Sequence, residues 1–314
     1  MTNIIQRFIA FLLVLCIPIF AIAGCTNNDV ANAANQVTTN ANGTYSIDTK
    51  TTTPEGKLDV YMLDIGQGDA ILLKVGDEYS MIDTGDIEHR ENIVAQLKTM
   101  GVTKLKNIII THPHADHMGG FYAIAKAMPI EHVYDDGIAV DNNMYKTYEK
   151  WIEKNKIQRT TLRSGDVVDF GHGAVFVVYA PWVEPLTDKK GETDLNNNSI
   201  VGKLIFGKFS MLFTGDAELQ EEKKLIKEQN SRLFSRILKV GHHGSRTSSS
   251  EDFLKSIKPE SALISNGMYN KYGHPHDVTL RRLQENNIAI YRTDTMGRIH
   301  ISTDGNEWQI TTER

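Results

Sequence analysis

The sequence predicts an α/β fold in which two sheets are covered by helices on both outer faces. Three observations carry the prediction. Short apolar and β-branched runs recur from Leu58 to the end of the chain, and segments of helical periodicity lie between them. Their order is a strand cluster, then alternating strands and helices, then strands again. Strands are expected at 58–65, 70–75, 79–83, 107–111, 174–179, 200–205, 210–213, 237–240, 262–264, 288–291, 299–301 and 308–311. Helices are expected at 90–100, 118–128, 144–154, 218–228, 252–257 and 278–285. No internal repeat is visible.

Composition narrows the class. The 314 residues are 40% hydrophobic and 23% charged, which excludes a collagen-like or wholly disordered chain. Lys and Arg number 34 against 39 Asp and Glu, a net charge of −5. A general nucleic-acid binder carries a basic excess, so that class is excluded; nucleic acid held at one local site as a substrate is not. Two cysteines, Cys16 and Cys25, exclude a disulfide scaffold.

Residues 1–24 read as a secretory signal. Arg7 precedes an apolar run, 8–23, which contains Pro18 and is shorter than the roughly 20 residues of a membrane span. Ile22-Ala23-Gly24-Cys25 resembles the lipobox of bacterial lipoproteins, which implies cleavage before Cys25 and lipidation of its thiol. The expected location is extracytoplasmic, lipid-anchored to the bacterial cell membrane through Cys25. No cysteine follows, so the chemistry must use His, carboxylate and hydroxyl groups. Residues 25–56, rich in Asn, Thr and Ala, read as a disordered tether, and 57–314 as one domain. No obligate protein partner is predicted.

The strongest chemical signal is Ile108-Ile109-Ile110-Thr111-His112-Pro113-His114-Ala115-Asp116-His117. An apolar strand runs directly into three histidines and an aspartate, at a strand end where α/β folds place chemistry. His112 and His114 alternate around Pro113 and can point the same way from an extended segment. Asp116 and His117 follow where a helix begins and can serve a second ion. Imidazole with carboxylate suits zinc, iron or manganese.

This His-X-His-X-Asp-His pattern resembles the metallo-β-lactamase superfamily. Met81-Ile82-Asp83-Thr84-Gly85 and Leu212-Phe213-Thr214-Gly215-Asp216 resemble two further turns of that family. The resemblance implies an αβ/βα sandwich of two mixed sheets packed face to face. It implies metal ligands at His112, His114, Asp116, His117, Asp216 and His243, with Asp216 bridging two ions and Asp83 supporting ligands from behind. His243 is assigned to the ion of Asp116 and His117; His242 competes, because one residue of register is not settled by sequence. Leu63-Asp64-Ile65-Gly66-Gln67-Gly68-Asp69-Ala70, Val240-Gly241-His242-His243-Gly244-Ser245 and Tyr272-Gly273-His274-Pro275-His276 narrow the likeness. In that order they resemble the metallohydrolase domain of ComEC-type DNA-uptake competence proteins and their stand-alone relatives. Cell-wall phosphorylcholine esterases share parts of the pattern.

One departure stands out. The superfamily often has another histidine ligand between Asp116 and Asp216; here Asp194-Leu195-Asn196-Asn197-Asn198-Ser199-Ile200 contains none. An oxygen ligand such as Asn198, or water, is expected in its place. Harder ligation favours manganese or magnesium relative to zinc. The cofactor expected is one or two divalent ions, zinc or manganese ahead of magnesium.

The implied activity is hydrolysis by a metal-activated hydroxide, with a phosphodiester as substrate and DNA as the favoured polymer. Wall teichoic or phosphorylcholine-type phosphodiesters are the alternative, followed by a lactonase or thioesterase on the same fold. A non-enzymatic binding module is disfavoured by the completeness of the cluster. Asp116, His274 and His276 are the catalytic candidates; the two histidines, in a loop with Pro and Gly, can line the pocket, donate a proton to the leaving group, or ligate. Asp64, Gln67, Asp69, Asp83, Asn198, His242 and Ser245 are candidates for supporting the ligands or touching substrate. His89, His132, His172 and His300 lack a supporting pattern.

Overall fold

The computed structural model describes residues 36–39, 45–48 and 54–314. The signal segment and Cys25 lie outside the described residues. Within the stretch read as a tether, strands β1 (Gln36–Thr39) and β2 (Tyr45–Asp48) pair antiparallel in a two-stranded sheet.

From Leu58 onward the chain builds two sheets. The strands of its first half are β3 (Leu58–Met62), β4 (Ala70–Val75), β5 (Glu78–Thr84), β6 (Leu105–Ile109), β7 (Ile130–Asp135) and β8 (Gln158–Thr161). Those of the second half are β9 (Val167–Gly171), β10 (Ala174–Ala180), β11 (Val201–Phe206), β12 (Phe209–Phe213), β13 (Ile237–Lys239), β14 (Ser261–Ile264) and β15 (Ala289–Arg292). β16 (Ile299–Thr303) and β17 (Trp308–Thr312) return to the first sheet beside β3. The orders are β17-β16-β3-β4-β5-β6-β7-β8 and β15-β14-β13-β12-β11-β10-β9. Each sheet is antiparallel through its early strands and parallel after β5 or β12.

The helices are α1 (Arg90–Thr99), α2 (Ala115–Met118), α3 (Phe121–Ala127), α4 (Asn143–Asn155), α5 (Leu219–Gln229), α6 (Glu251–Ile257), α7 (Asp277–Glu285) and α8 (Thr293–Met296). Three apolar layers result. Phe176, Phe206, Phe209 and Phe213 meet Met62, Ile71 and Ile82 between the sheets. Ile93 and Leu97 of α1, Phe121 of α3 and Tyr148 of α4 cover Leu72, Met81 and Ile108 on one outer face. Leu225 of α5, Phe253 of α6 and Leu283 of α7 cover Leu212, Leu238 and Ala262 on the other. This is the two-sheet sandwich with helices on both outer faces. β10 is buried at every position because both its faces are covered, which is why AVFVVYA shows no alternation.

Several elements differ from expectation. β7, β8 and β9 were not expected. β8 reads Gln-Arg-Thr-Thr, is mostly exposed, and has no apolar signal because it is a sheet edge. The helix expected at 118–128 is two helices, broken at Gly119-Gly120. A Cβ on Gly120 would lie 2.0 Å from Thr84 O, so glycine lets this segment press against the end of β5.

Phe176 is fully buried between the sheets. Phe176→Ala is expected to destabilise the protein by about 3–5 kcal/mol in urea unfolding, from lost burial and the cavity left behind.

Candidate metal centre

The loops that leave the C-terminal ends of β5, β6, β12, β13 and β14 carry the chemistry. β5 ends on Asp83 and Thr84; β6 leads to His112, His114 and α2; β12 leads to Asp216; β13 leads to His242 and His243; β14 leads to Ser265 and the His274 loop. Asp83, His242 and His243 hold left-handed backbones, with φ of 58°, 48° and 53°. Each such residue costs on the order of 1–3 kcal/mol and persists because its surroundings hold it. Gly68 (φ 115°) passes so close to α2 that a Cβ would lie 2.4 Å from Asp116 O. That approach lets the Asp69 N–H donate to Asp116 O at 2.9 Å.

Asp216 is the hub. Its Oδ1 lies 3.1 Å from His117 Nε2 and 3.5 Å from His243 Nε2, and His243 Nε2 is 3.3 Å from Asp116 Oδ2. Its Oδ2 lies 3.8 Å from His112 Nε2 and 3.6 Å from His242 Nε2. His114 Nδ1 is 2.9 Å from His112 Nε2. The donor atoms of Asp116, His117, Asp216 and His243 all lie within 4.8 Å of one another, and so do those of His112, His114 and Asp216.

The far nitrogen of each key imidazole is anchored, as metal ligands require. His117 Nδ1 donates to Asp83 Oδ2 at 2.8 Å, His243 Nδ1 to Ser265 O at 2.9 Å, and His242 Nδ1 to Glu218 Oε1 at 3.0 Å. Asp83 is itself held by the Thr111 N–H and hydroxyl, at 2.7 and 2.8 Å. Carboxylate and carbonyl acceptors put the proton on Nδ1 and turn Nε2 inward.

The electrostatics call for a cation. Burial would lower the pKa of His117, but Asp216 and Asp83 outweigh it and raise it well above the ordinary value. Burial is likewise outweighed at His243, where Asp216 and Asp69 lift the pKa to about 10. Burial would raise Asp216, yet His117 and His243 hold it well below the usual carboxylate range. His117 Nε2, His243 Nε2 and Asp216 Oδ1 are buried and make no hydrogen bond. Buried polar atoms are normally paired, so three orphans facing one another fit a shared divalent ion.

A family profile of the metallo-beta-lactamase superfamily matches residues 63–267. The chain belongs to the metallo-β-lactamase superfamily. Family and donor set together make it a metal-dependent hydrolase of this fold. It is similar to the competence protein ComA of Neisseria gonorrhoeae, 30% identical over 247 residues that cover 78% of this chain and 32% of that protein. ComE operon protein 3 of Bacillus subtilis is 29% identical over 264 residues, covering 78% of this chain and 33% of that protein. The chain thus spans about a third of the length of these relatives. Among solved structures, the metallo-β-lactamase fold protein YhfI of Bacillus subtilis superposes with a TM-score of 0.54 at 11% identity, covering 78% of this chain and all of that one.

In this metallo-β-lactamase-fold protein His112, His114, Asp116, His117, Asp216 and His243 come together around two donor groups that share Asp216. His242 joins them at the other oxygen of the carboxylate, its Nε2 3.6 Å from Asp216 Oδ2. Both members of the His242-His243 pair therefore reach Asp216, one at each oxygen. Asp69 and Asp83 back His243 and His117. Gln67 and His274 line the pocket above the donors.

Four expectations are corrected. Asn198 is not at the ions: its amide accepts from Leu186 N–H and donates to Leu186 O and Asp194 O, which staples its own loop. Asp64 is on the surface, paired with Arg314 at 2.7 Å. Ser245 is buried in its turn, its hydroxyl bound to Thr247. His276 stands outside the pocket lining, and its Nδ1 accepts from the Arg246 N–H at 3.0 Å.

Sequence reasoning missed three residues. Ser199 Oγ accepts from the Asp216 N–H at 3.0 Å and lies 3.4 Å from His112 Nδ1. Glu218 orients His242. Lys239 is fully buried with its Nζ 2.6 Å from Asp69 Oδ2. A lone lysine at the end of the apolar run Arg236-Ile237-Leu238-Lys239-Val240 was the available signal for the last of these.

Lys239→Met leaves the buried Asp69 short of its partner, and is expected to cost about 3–5 kcal/mol in chelator-treated protein. Burial would raise Asp69, but Lys239, His243 and His117 outweigh it and hold it at about 2, below its ordinary 3.8. Its contribution is therefore complete above about pH 4 and is lost as pH falls through 2. Removing Lys239 is expected to move the acid limb of a melting-temperature profile to higher pH; an unmoved limb would disprove the pairing. His242→Ala is expected to lower the bound metal measured by mass spectrometry towards one ion per chain, whereas Asn198→Ala leaves metal binding in place.

Proposed function

We propose that the protein is an extracytoplasmic phosphodiesterase that cleaves DNA. The observation that carries this reading is the pair of donor groups sharing Asp216 beneath a pocket of about 320 Å³. Two centres on one carboxylate suit displacement at phosphorus, where charge develops on both the entering and the leaving oxygen. Two divalent ions would be held by His112, His114 and Asp216, with His242 alongside Asp216, and by Asp116, His117, His243 and Asp216, and would supply Lewis acidity and a water of pKa near 7. The resemblance to ComEC-type DNA-uptake proteins, and the similarity to competence proteins over most of the chain, support DNA as the polymer. The lipobox-like segment ending at Cys25 supports a lipid anchor that holds the domain outside the cytoplasmic membrane.

The chain's own residues complete the site. Asp83, Ser265 and Glu218 hold three imidazoles by their far nitrogens, so the centre is set before substrate arrives. His274 lies in the pocket wall, stacked on Tyr272, with a buried Nδ1 that makes no hydrogen bond. Burial, with His242 and His243 nearby, pushes its pKa down to about 4. Cations in the centre act in the same direction. His274 is therefore neutral at pH 7, and its role is to donate an N–H to a phosphoryl or leaving oxygen rather than to carry a stored proton. The position of His276 outside the pocket leaves that role to His274.

The decisive experiment incubates the full chain with single-stranded DNA and manganese beside the Asp116→Ala variant. Cleavage by the first, and a loss of at least about 10²-fold in the second, is expected from removing a ligand of one ion. No cleavage by metal-loaded protein overturns the DNA reading and turns the search to teichoic and phosphorylcholine phosphodiesters. His274→Ala is expected to lower kcat by about 10²-fold or more while bound metal stays unchanged.

A further inference from the structure

We infer that the protein carries a second, non-catalytic DNA site: a cationic groove beside the metal pocket that holds a single strand by its phosphates. The groove has a volume of about 740 Å³ and is formed by α5, the 246–250 loop and α7. Lys223, Lys224, Lys227, Arg246 and Arg282 line it, against the carboxylates Glu218 and Glu228. Both carboxylates are engaged. Glu218 accepts from His242 and from the Thr247 hydroxyl, and Glu228 accepts from the Trp182 indole N–H. Among the described residues none of the five cations forms a salt bridge; Lys224 lies over the Trp182 ring, 4.0 Å from its centroid, and Arg282 Nη1 donates to Ser248 O at 3.1 Å. Five cations against two carboxylates in one lining run against a chain whose net charge is −5. A groove whose lining carries more cations than carboxylates is the footprint of a polyanion.

Two further features choose the polyanion. Glu218 lines the groove and binds His242, which lines the metal pocket, so groove and pocket are neighbours across one side chain. A strand lying over the donors has the groove as its next contact. Tyr272 lines the pocket and is half exposed. Tyr269, three residues earlier, is 96% exposed on a left-handed backbone of φ 58°. A bulky residue held outward at that cost is a stacking surface in want of a partner. Cations for phosphates together with the exposed aromatic face of Tyr269 for a base are the two parts of a single-strand site. A polyol phosphate of the cell wall would use the first and leave the second idle.

The inference rests on the phosphodiesterase reading only for where the cut falls; binding is read separately. The test measures fluorescence anisotropy of labelled dT20 with the full chain in chelator, between 50 and 200 mM salt, a range over which such contacts weaken markedly. The variant is K223E/K227E, both residues exposed, with its melting temperature as the control for folding. The expected result is binding at least about tenfold weaker and a salt slope smaller by about 1.4, at roughly 0.7 per lost phosphate contact. Tyr269→Ala is expected to weaken dT20 further but to leave a poly(glycerol phosphate) competitor unaffected. Equal affinity of the charge-reversed variant and the parent overturns the groove. Competition by poly(glycerol phosphate) as strong as that by dT20 overturns the commitment to DNA. Hydrolysis of bis(p-nitrophenyl) phosphate reports the metal centre by itself. Groove-dependent binding without hydrolysis supports this inference while removing the phosphodiesterase reading.

Discussion

Asp69, Asp83 and Asp216 are carboxylates with at most 2% of their surface exposed, and their burial constrains everything around them. A carboxylate taken out of water costs several kcal/mol unless charge and hydrogen bonds replace its hydration. Each of the three is met by specific groups. Lys239 and His243 come from the second sheet to Asp69 in the first, so this pairing ties the two halves together across the sandwich. Thr111 and His117 hold Asp83. Asp216 draws imidazoles from both halves, His112 and His117 from one and His242 and His243 from the other.

That convergence follows from a plan used twice. Each sheet begins with antiparallel strands and ends with parallel ones, and the parallel strands end at one edge of the sandwich. The loops that carry His112 to His117 and those that carry Asp216, His242 and His243 therefore meet there. No internal repeat in the sequence announces the shared plan, because the side chains each half contributes are different. A metal-dependent hydrolase with a shared ligand at such a seam is sensitive to how the halves pack as well as to the ligands themselves.

The surroundings divide the labour between rigidity and reach. The imidazoles are fixed by anchored far nitrogens and by left-handed backbone at His242 and His243. The pocket lining instead includes the half-exposed Tyr272, and one side chain away the lysines of α5 line the groove. Glu218 belongs to both, since it orients His242 on one side and bounds the groove on the other. Occupation of the groove and the geometry of the centre are thereby in contact through one hydrogen bond.

The residues that chain connectivity places side by side were legible in the sequence. His112, His114, Asp116 and His117 follow one strand within six positions, and periodicity marked most strands and helices, because local backbone geometry decides both. What depended on distant packing was not. β8 is an edge strand without apolar residues, and the break at Gly119-Gly120 answers to Thr84 O, a backbone atom of another element. Ser199, rather than the neighbouring Asn198, turns to Asp216, since a short turn at Asn196–Asn198 directs the amide into its own loop. Asp64 meets Arg314, 250 residues away, on the surface. Which oxygen of Asp216 faces His242 and which faces His243 was set by the folded positions of the two residues, both on left-handed backbone. The sequence by itself determined which chemical groups are present and which of them are neighbours along the chain. The tertiary structure decided which buried charges they must neutralise, because that pairing is made across the seam between two sheets.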